Sequence, residues 1–150
     1  IEYSLNNIFQ MLVYSRVLYP CSKKRSFEKM NDFFLDFDFS MDDMYRALDY
    51  FDRFKEDLLV HLHEYVRIRY RRKTNVVFYD VTNFYFEIDK EDDFRRKGMC
   101  KHNTRKPLVQ MGLLLDEDAI PITYRLFEGN MHDNQTFMPI IQKARVSYGL

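Results

Sequence analysis

One carboxylate in the second half of the chain has surroundings compatible with a metal ligand. Asp80 lies near the end of a strongly apolar run, residues 76–81, rich in β-branched and aromatic side chains. A carboxylate in such a run is costly to bury unless it is paired, hydrogen-bonded or bound to a cation. Two interpretations stay open: a metal-binding Asp, or a structural Asp at a strand end that caps a turn or pairs with an arginine.

A second group of residues has chemistry suited to phosphate. The segment 95–106 carries six basic residues in twelve positions: Arg95, Arg96, Lys97, Lys101, Arg105 and Lys106. If they face one way, they predict salt-dependent binding to nucleic-acid phosphates. The alternative is an ordinary solvated loop, since exposed loops are often charged.

Helices are predicted in the first half of the chain. Apolar residues at three- and four-residue spacing predict a helix over residues 4–19, ended by Pro20. Ser26 is interpreted as the N-cap of a brief helix. Ser40 with Asp43 resembles a capping box and opens a long predicted helix over 41–71, with an apolar stripe along one side. His61 and His63 on this helix are interpreted as surface or half-buried residues.

The periodicity changes to that of strands at Thr74. Strands are predicted over 76–81 (with 84–88 as a continuation or a flanking segment), 108–115 and 120–127, the last two forming a hairpin. Asp116 and Asp118 are interpreted as turn residues between them. A helix over about 135–148 follows, capped by Asp133 or Asn134. The order β-β-β-α predicts an α+β fold with a helical region over 1–73 and a second domain over 74–150.

Composition constrains the protein class. The 150 residues are 46% hydrophobic with only 4 Gly and 4 Pro, which predicts a packed core and argues against a disordered chain. The formal net charge of zero does not by itself indicate a nucleic-acid binder. Two cysteines predict a reducing, cytoplasmic environment, and no apolar stretch is long enough to predict a membrane span. Both ends are interpreted as cuts through a longer protein.

A series of short motifs resembles the DDE-type insertion-sequence transposases from about Asn75 onwards. The residues that carry the resemblance occur in the family's order and spacing. They are Tyr79-Asp80-Val81-Thr82-Asn83-Phe84-Tyr85-Phe86, Arg96-Lys97-Gly98, Pro107-Leu108-Val109-Gln110-Met111-Gly112-Leu113-Leu114, Ile120-Pro121, and Leu126-Phe127-Glu128-Gly129-Asn130 followed by Asp133 and Thr136. The resemblance implies the incomplete start of a ribonuclease H-like domain, in which a parallel strand bearing a second Asp and a helix bearing Glu come later.

The resemblance implies roles for the residues singled out above. Asp80 would be the first of three carboxylates that hold two Mg²⁺ (or Mn²⁺) ions, about 3.5–4 Å apart, for DNA cleavage and strand transfer. Thr82 and Asn83 would orient it or contact the DNA, or make ordinary strand-end hydrogen bonds. The other two carboxylates are expected beyond Leu150, so this chain alone is expected to be inactive.

The expected partners follow from the same resemblance. They are DNA, as transposon ends and target, with self-association in the full-length enzyme. The alternatives are another ribonuclease H-like nuclease and a non-catalytic DNA-binding remnant.

Overall fold

The computed structural model describes residues 3–98 and 106–150. Its regular elements, in chain order, are α1 (Leu5–Leu18), α2 (Lys23–Glu28), a 3-10 turn (Met30–Asp32), α3 (Met41–Arg53), α4 (Lys55–Tyr70), β1 (Phe78–Tyr85), β2 (Leu108–Leu115), β3 (Pro121–Glu128) and α5 (Asp133–Tyr148). The predicted α+β class is therefore confirmed. The chain folds into two compact units, Ile1–Glu56 and Asp57–Leu150, so most of α4 groups with the sheet and not with the residues before it.

The first unit is a helical cluster. Its buried side chains come from α1, α3 and the segment between them, and are Ile8, Met11, Phe39, Met44 and Ala47. The capping box is present as predicted: Ser40 Oγ accepts from the Asp43 amide, and the Asp43 carboxylate accepts from the Ser40 amide.

The brief second helix begins earlier than predicted. Its cap is Ser22, whose Oγ accepts from the Arg25 amide at 3.2 Å. Ser26 lies inside the helix, where its hydroxyl donates back to the Ser22 carbonyl at 3.2 Å. The interpretation of Ser26 as the N-cap was wrong because two serines in this stretch can each cap a helix, and the sequence does not distinguish them.

The long helix predicted over 41–71 is divided in two. Phe54 takes backbone angles of φ −97 and ψ 9, which closes α3, and α4 starts at Lys55. The Phe54 amide still donates to the Tyr50 carbonyl at 3.0 Å, so the last α3 bond is satisfied. Neither Gly nor Pro marks the break, which explains why periodicity alone runs through it.

The second unit is built on a three-stranded antiparallel sheet of order β1-β2-β3. The observed strands overlap the predicted ones: β2 has the predicted bounds, whereas β1 and β3 are shifted towards the C-terminus. Register pairs Asp80 with Leu113 and Val81 with Gly112. Leu114 pairs with Thr123 and Leu115 with Pro121, so Ile122 is an extra residue in β3, a β-bulge.

One face of this sheet, here called the inner face, is covered by α5. Leu114 and Ile122 pack against Ile140, Ala144 and Tyr148 in the main apolar cluster of the unit. Helix α5 begins at Asp133, after His132, whose amide donates to Gln135 Oε1 at 3.2 Å. The predicted caps Asp133 and Asn134 were therefore wrong by one or two positions. Asp133 instead lies in the first turn, where its charge suits the helix dipole.

The opposite face is here called the open face. Successive side chains of a strand alternate between faces, and residues paired across an antiparallel ladder share one. The open face therefore carries side chains from all three strands, of which Val109 is buried. The others are exposed or half-buried: Phe78, Asp80, Thr82, Phe84, Met111, Leu113, Leu115, Tyr124, Leu126 and Glu128.

Candidate functional site

Asp80 lies near the middle of β1 on the open face. Its residue is exposed, and among the described residues its carboxylate has no hydrogen bond or ion pair. Leu113 lies directly opposite, with Phe78 and Thr82 two positions away along the strand. The carboxylate oxygens are thus available to a ligand, within a mainly apolar patch of side chains.

Thr82 and Asn83 lie on opposite faces of β1. Thr82 shares the open face with Asp80, two residues along the strand, so the two side chains are neighbours. Asn83 points to the inner face, where its buried Oδ1 has no hydrogen-bond partner among the described residues. Its cross-strand partner Gln110 is buried with an equally unpartnered Oε1. Only Thr82 of this pair lies beside Asp80.

The described basic residues of the loop are largely matched by acids. Arg95 lies 2.5 Å from Asp92, and Arg96 lies 3.8 Å from Asp93. Lys106 pairs with Glu87, whereas the Lys97 side chain has no ion pair in the described ranges. Lys101 and Arg105 lie outside the described residues. Binding phosphate here would require exchange of local carboxylate partners.

Asp92 organises the start of this loop. Its carboxylate accepts from the amides of Arg95 at 2.6 Å and Phe94 at 3.0 Å, and from the Arg95 guanidinium. The Arg95 amide, followed by its guanidinium and the Phe94 amide, lowers the pKa of Asp92 to about 2. The Arg95 guanidinium also lies 5.4 Å from the ring centre of Phe86. Arg95 is therefore held in place by both charge and ring contact.

Tyr79 attaches the Asp80 strand to α5. Its ring extends across Gly112, and its hydroxyl donates to Thr136 Oγ1 at 2.6 Å. Thr136 in turn donates to the Asp133 carbonyl at 2.6 Å. A Cβ on Gly112 would lie 2.5 Å from the Tyr79 hydroxyl, so glycine is needed here for space. Tyr79 thereby helps to fix the position of the strand from which Asp80 projects.

A buried polar cluster lies elsewhere in the second unit, and sequence reasoning missed it. Arg72 and Asp116 form an ion pair at 2.9 Å (Nε to Oδ2), with both side chains 1% exposed. The contact is one of charge, since Nε and Oδ2 are not aligned as a hydrogen bond. Arg72 also donates to the Pro121 carbonyl at 2.8 Å, and its Nη1 lies 2.9 Å from His63 Nδ1. Because guanidinium only donates, Nδ1 must accept and the ring proton lies on Nε2.

The cluster corrects the interpretation of His63 and extends that of Asp116. His63 is buried, not surface or half-buried, and its ring lies 5.1 Å from that of Tyr148. Burial, followed by the neighbouring Arg72 charge, lowers the pKa of His63 below its ordinary value of 6.5. Asp116 is a turn residue as predicted, and its Oδ1 accepts from the amides of Asp118 and Ile120.

Asp80 could supply one ligand to a metal ion. Within residues 3–98 and 106–150, no three His, Cys, Asp or Glu side chains are grouped to hold a metal ion. The Asp80 carboxylate, exposed and without an ion pair in the described ranges, fits a single position in an oxygen-ligated Mg²⁺ or Mn²⁺ site. The described residues supply no second or third ligand beside it.

Comparisons with family profiles, curated proteins and solved structures found no match to this chain. No helix in the described part of the chain is both long and apolar enough to cross a membrane. Function is therefore inferred from the residues themselves.

Proposed function

We propose that the chain is the first part of a DDE-type transposase, an enzyme that cuts DNA and joins its ends in a metal-dependent reaction. The observation that carries the proposal is Asp80: the third residue of β1, it carries an exposed carboxylate with no ion pair among the described residues, next to the strand-fixing Tyr79. The motif series that begins at Asn75 supports the same assignment.

The order of the elements also supports a ribonuclease H-like domain. Such a domain begins with three antiparallel strands followed by a helix, and the chain has that order, with the strands arranged β1-β2-β3. β1 has a neighbour on only one side in this sheet. The proposal assigns the second Asp to a further strand beyond Leu150 and the Glu to a later helix.

The chemistry proposed for Asp80 is metal binding. A carboxylate oxygen is a hard ligand of the kind that Mg²⁺ and Mn²⁺ prefer. In the complete enzyme, bound ions would supply activation of the attacking hydroxyl and charge stabilisation of the leaving oxygen. Within this chain, Asp80 provides one ligand, Thr82 lies beside it, and Tyr79 with Gly112 holds the strand in register.

The proposed test is an Asp80→Asn substitution in the complete reading frame that contains residues 1–150. Asp118→Asn in the β2–β3 turn is the matched control, because Asp118 is also an exposed carboxylate. With DNA containing the flanks of the gene and Mg²⁺, we expect Asp80→Asn to abolish cleavage and strand transfer while the control stays active. Undiminished cleavage by a folded Asp80→Asn protein would overturn the proposal.

The chain itself provides a second test. We expect residues 1–150 to leave supercoiled DNA intact at any Mg²⁺ concentration, since one ligand cannot assemble the metal site. Cleavage that requires Mg²⁺ and disappears with Asp80→Asn would show that the remaining ligands lie within this chain.

DNA retention is a separate part of the proposal. We propose that Arg95, Arg96, Lys97, Lys101, Arg105 and Lys106 contact DNA phosphates. Replacing Arg95, Arg96 and Lys97 by Ala should weaken retention and lower the salt dependence by about 0.9 in log–log slope for each phosphate that is no longer neutralised. Arg145→Ala, at an exposed position of α5, is the control. An unchanged salt slope in the triple variant would remove this loop from the interface.

A non-catalytic DNA-binding remnant is the second candidate. It accounts equally well for the observation that no group of three metal-ligating side chains occurs among the described residues. The two candidates differ in the complete reading frame: DNA retention without Mg²⁺-dependent cleavage supports the remnant. A different ribonuclease H-like nuclease would cleave DNA without joining ends.

A further inference from the structure

An apolar groove lies in the first unit along α1. Its volume is about 340 Å³, and its apolar lining comes from α1 and α3: Phe9, Leu12, Val13, Val17 and Phe51. Phe9, Val13 and Val17 are each more than a third exposed, so the groove is open to solvent. Exposed apolar surface of this kind marks contact sites when it is contiguous and bordered by polar groups.

The charged residues that line the groove are all basic. Arg16 and Lys23 contribute to its wall, and no Asp or Glu does. Across residues 3–98 and 106–150, neither cation takes part in an ion pair. The groove therefore fits an occupant that is apolar at its centre and acidic at its edges.

The same unit carries a segment with that chemistry. Residues 32–38, here called the acidic loop, have the sequence Asp-Phe-Phe-Leu-Asp-Phe-Asp, with three carboxylates and no basic residue. Phe34 is fully exposed and Leu35 is 47% exposed. Phe34 and Leu35, two adjacent apolar side chains between Asp32 and Asp36, thus form a compact anchor that is open to solvent in the described part of the chain.

Aromatic contacts hold the acidic loop in this conformation. The Phe33 ring lies 6.4 Å from Tyr19 and 5.9 Å from Phe37, and Phe37 lies 6.3 Å from Phe39. Phe33 and Phe37 therefore fix the loop from the inside on both sides of Phe34. Phe34 is presented outwards by a supported backbone, which lowers the entropy cost of using it as an anchor.

We propose that the groove of one copy of the chain binds the acidic loop of a second copy. Phe34 and Leu35 fill the groove, and Asp32 and Asp36 lie towards Arg16 and Lys23. Each copy carries both the loop and the groove, so two copies make the contact reciprocally, as in a twofold dimer. The inference does not depend on the proposed transposase activity, because every residue in it belongs to the helical unit.

The expected dimer is weak and salt-sensitive. Each contact consists of one loop and one groove, well below the area of a large permanent interface. Exposed charge pairs are screened as the ionic strength rises, so salt should shift the equilibrium towards the monomer. The apolar anchor should nevertheless dominate, since a few central aromatic side chains carry most of the binding energy in such contacts.

The primary experiment is sedimentation equilibrium of residues 1–150 over a range of protein concentrations. We expect a monomer–dimer equilibrium whose Kd rises at least about tenfold with Phe34→Ser. Val146→Ser on α5, which removes an 88% exposed apolar side chain from the other unit, is the matched control and should leave Kd unchanged. A chain that stays monomeric throughout, or an equilibrium unaffected by Phe34→Ser, would overturn the proposal.

A mixing experiment tests the groove. Val17 is 73% exposed, so Val17→Glu should fold normally while placing a negative charge where the acidic loop binds. Each single variant should dimerise poorly. When a Phe34→Ser chain is mixed with a Val17→Glu chain, the groove of the first and the loop of the second are both intact. The mixture should therefore form a heterodimer, which energy transfer between labels on the two chains detects. If the mixture associates no better than either variant alone, or Val17→Glu dimerises normally, the groove is not the binding surface.

A charge exchange distinguishes a second copy from other occupants. Arg16→Glu should weaken the dimer, and adding Asp36→Lys should restore it, because the two charges are then exchanged and still attract. Failure of Asp36→Lys to restore dimerisation would contradict the placement of this loop. If an acidic amphipathic ligand blocks self-association of the wild-type chain, and the Arg16→Glu and Asp36→Lys exchange has no effect, the groove is the binding site of that ligand and not of the acidic loop.

Discussion

Asp80 and Asp116 follow the same sequence pattern but have opposite environments. Each comes directly after a run of apolar strand residues, and Asp80 pairs with Leu113, three positions before Asp116. The Asp116 carboxylate is buried against Arg72 and two backbone amides. The Asp80 carboxylate is exposed and unpaired among the described residues. A carboxylate whose oxygens are already used stabilises the fold, whereas one whose oxygens are unused is available to a ligand.

Asp116 and Asp80 should differ most in how much each contributes to the free energy of unfolding. Asp116→Ala should lower the free energy of unfolding by about 3–5 kcal/mol, because it leaves the buried Arg72 charge without its partner. Asp80→Ala should change it by no more than about 0.5 kcal/mol, since the carboxylate is exposed and has no ion pair with any residue that the structure describes. Urea unfolding of both variants measures the difference. Equal destabilisation would contradict the assignment of a structural role to Asp116 alone.

The strand that carries Asp80 provides the next test. Gly112→Ala should destabilise by about 1–3 kcal/mol, because the new Cβ meets the Tyr79 hydroxyl that is bonded to Thr136. In a Tyr79→Phe background the same change should cost less, since the hydroxyl in the way is gone. A double-mutant cycle measures this coupling, and additive effects would mean that Tyr79 and Gly112 do not act together.

The pH dependence of stability provides a test of the buried cluster, because the cluster contains the titrating residue His63. The pKa of His63 is lower in the folded protein than its ordinary value of 6.5, so the unfolded chain takes up the proton more readily. The contribution of His63 to the free energy of unfolding is therefore complete above pH 6.5 and is lost as the pH falls below that value. Below the pKa of His63 in the folded protein, this loss levels off.

The charged groups around His63 act in both directions on this effect. Arg72 and Arg67 disfavour its protonation, and Glu64 and Asp116 favour it, whereas Tyr148 on α5 contributes a ring contact. His63→Asn should flatten the fall in stability below pH 6.5, and His61→Asn, at an exposed position on the same helix, should not. A fall that persists in His63→Asn would have to come from other groups.

The smallest expected effect concerns the backbone that directs Arg72 into the cluster. Arg71 follows α4 with φ 53, in the left-handed region where a side chain is strained. Arg71→Gly should therefore raise the free energy of unfolding, by up to about 1 kcal/mol. Thermal unfolding measures it, with Arg69→Gly inside α4 as the contrasting change that should destabilise. Destabilisation by Arg71→Gly would indicate that the Arg71 side chain contributes more than its strain costs.

Local signals explain which predictions were confirmed. The Ser40–Asp43 capping box and the bounds of β2 depend on interactions between near neighbours or on one uninterrupted apolar run. The break at Phe54 and the burial of His63 have no such signal: neither Gly nor Pro marks the break, and the burial depends on residues distant in sequence such as Tyr148. Nothing in the sequence around His61 and His63 indicates that His63 is buried and His61 exposed.

The candidate site was predictable only in part for the same reason. Alternation along a strand places Thr82 beside Asp80 and Asn83 opposite, once the strand is known to run through residue 83. Which face α5 covers is decided by contacts such as that of Tyr79 with Thr136, 57 residues apart. The sequence therefore predicts Asp80 as a candidate ligand without predicting that its face is the exposed one.

The element types, the α+β class and the two carboxylates that follow apolar runs can all be read from the amino-acid sequence. Short-range periodicity and capping are sufficient for these, since each involves residues a few positions apart. Which carboxylate has an internal partner depends on contacts between residues far apart in the chain. Arg72 reaches Pro121, 49 residues away, and Asp116 beside it, because the turn after α4 and the β2–β3 turn meet in space. The partner of a buried charge is set by chain topology, and Asp80 has no such partner among the described residues.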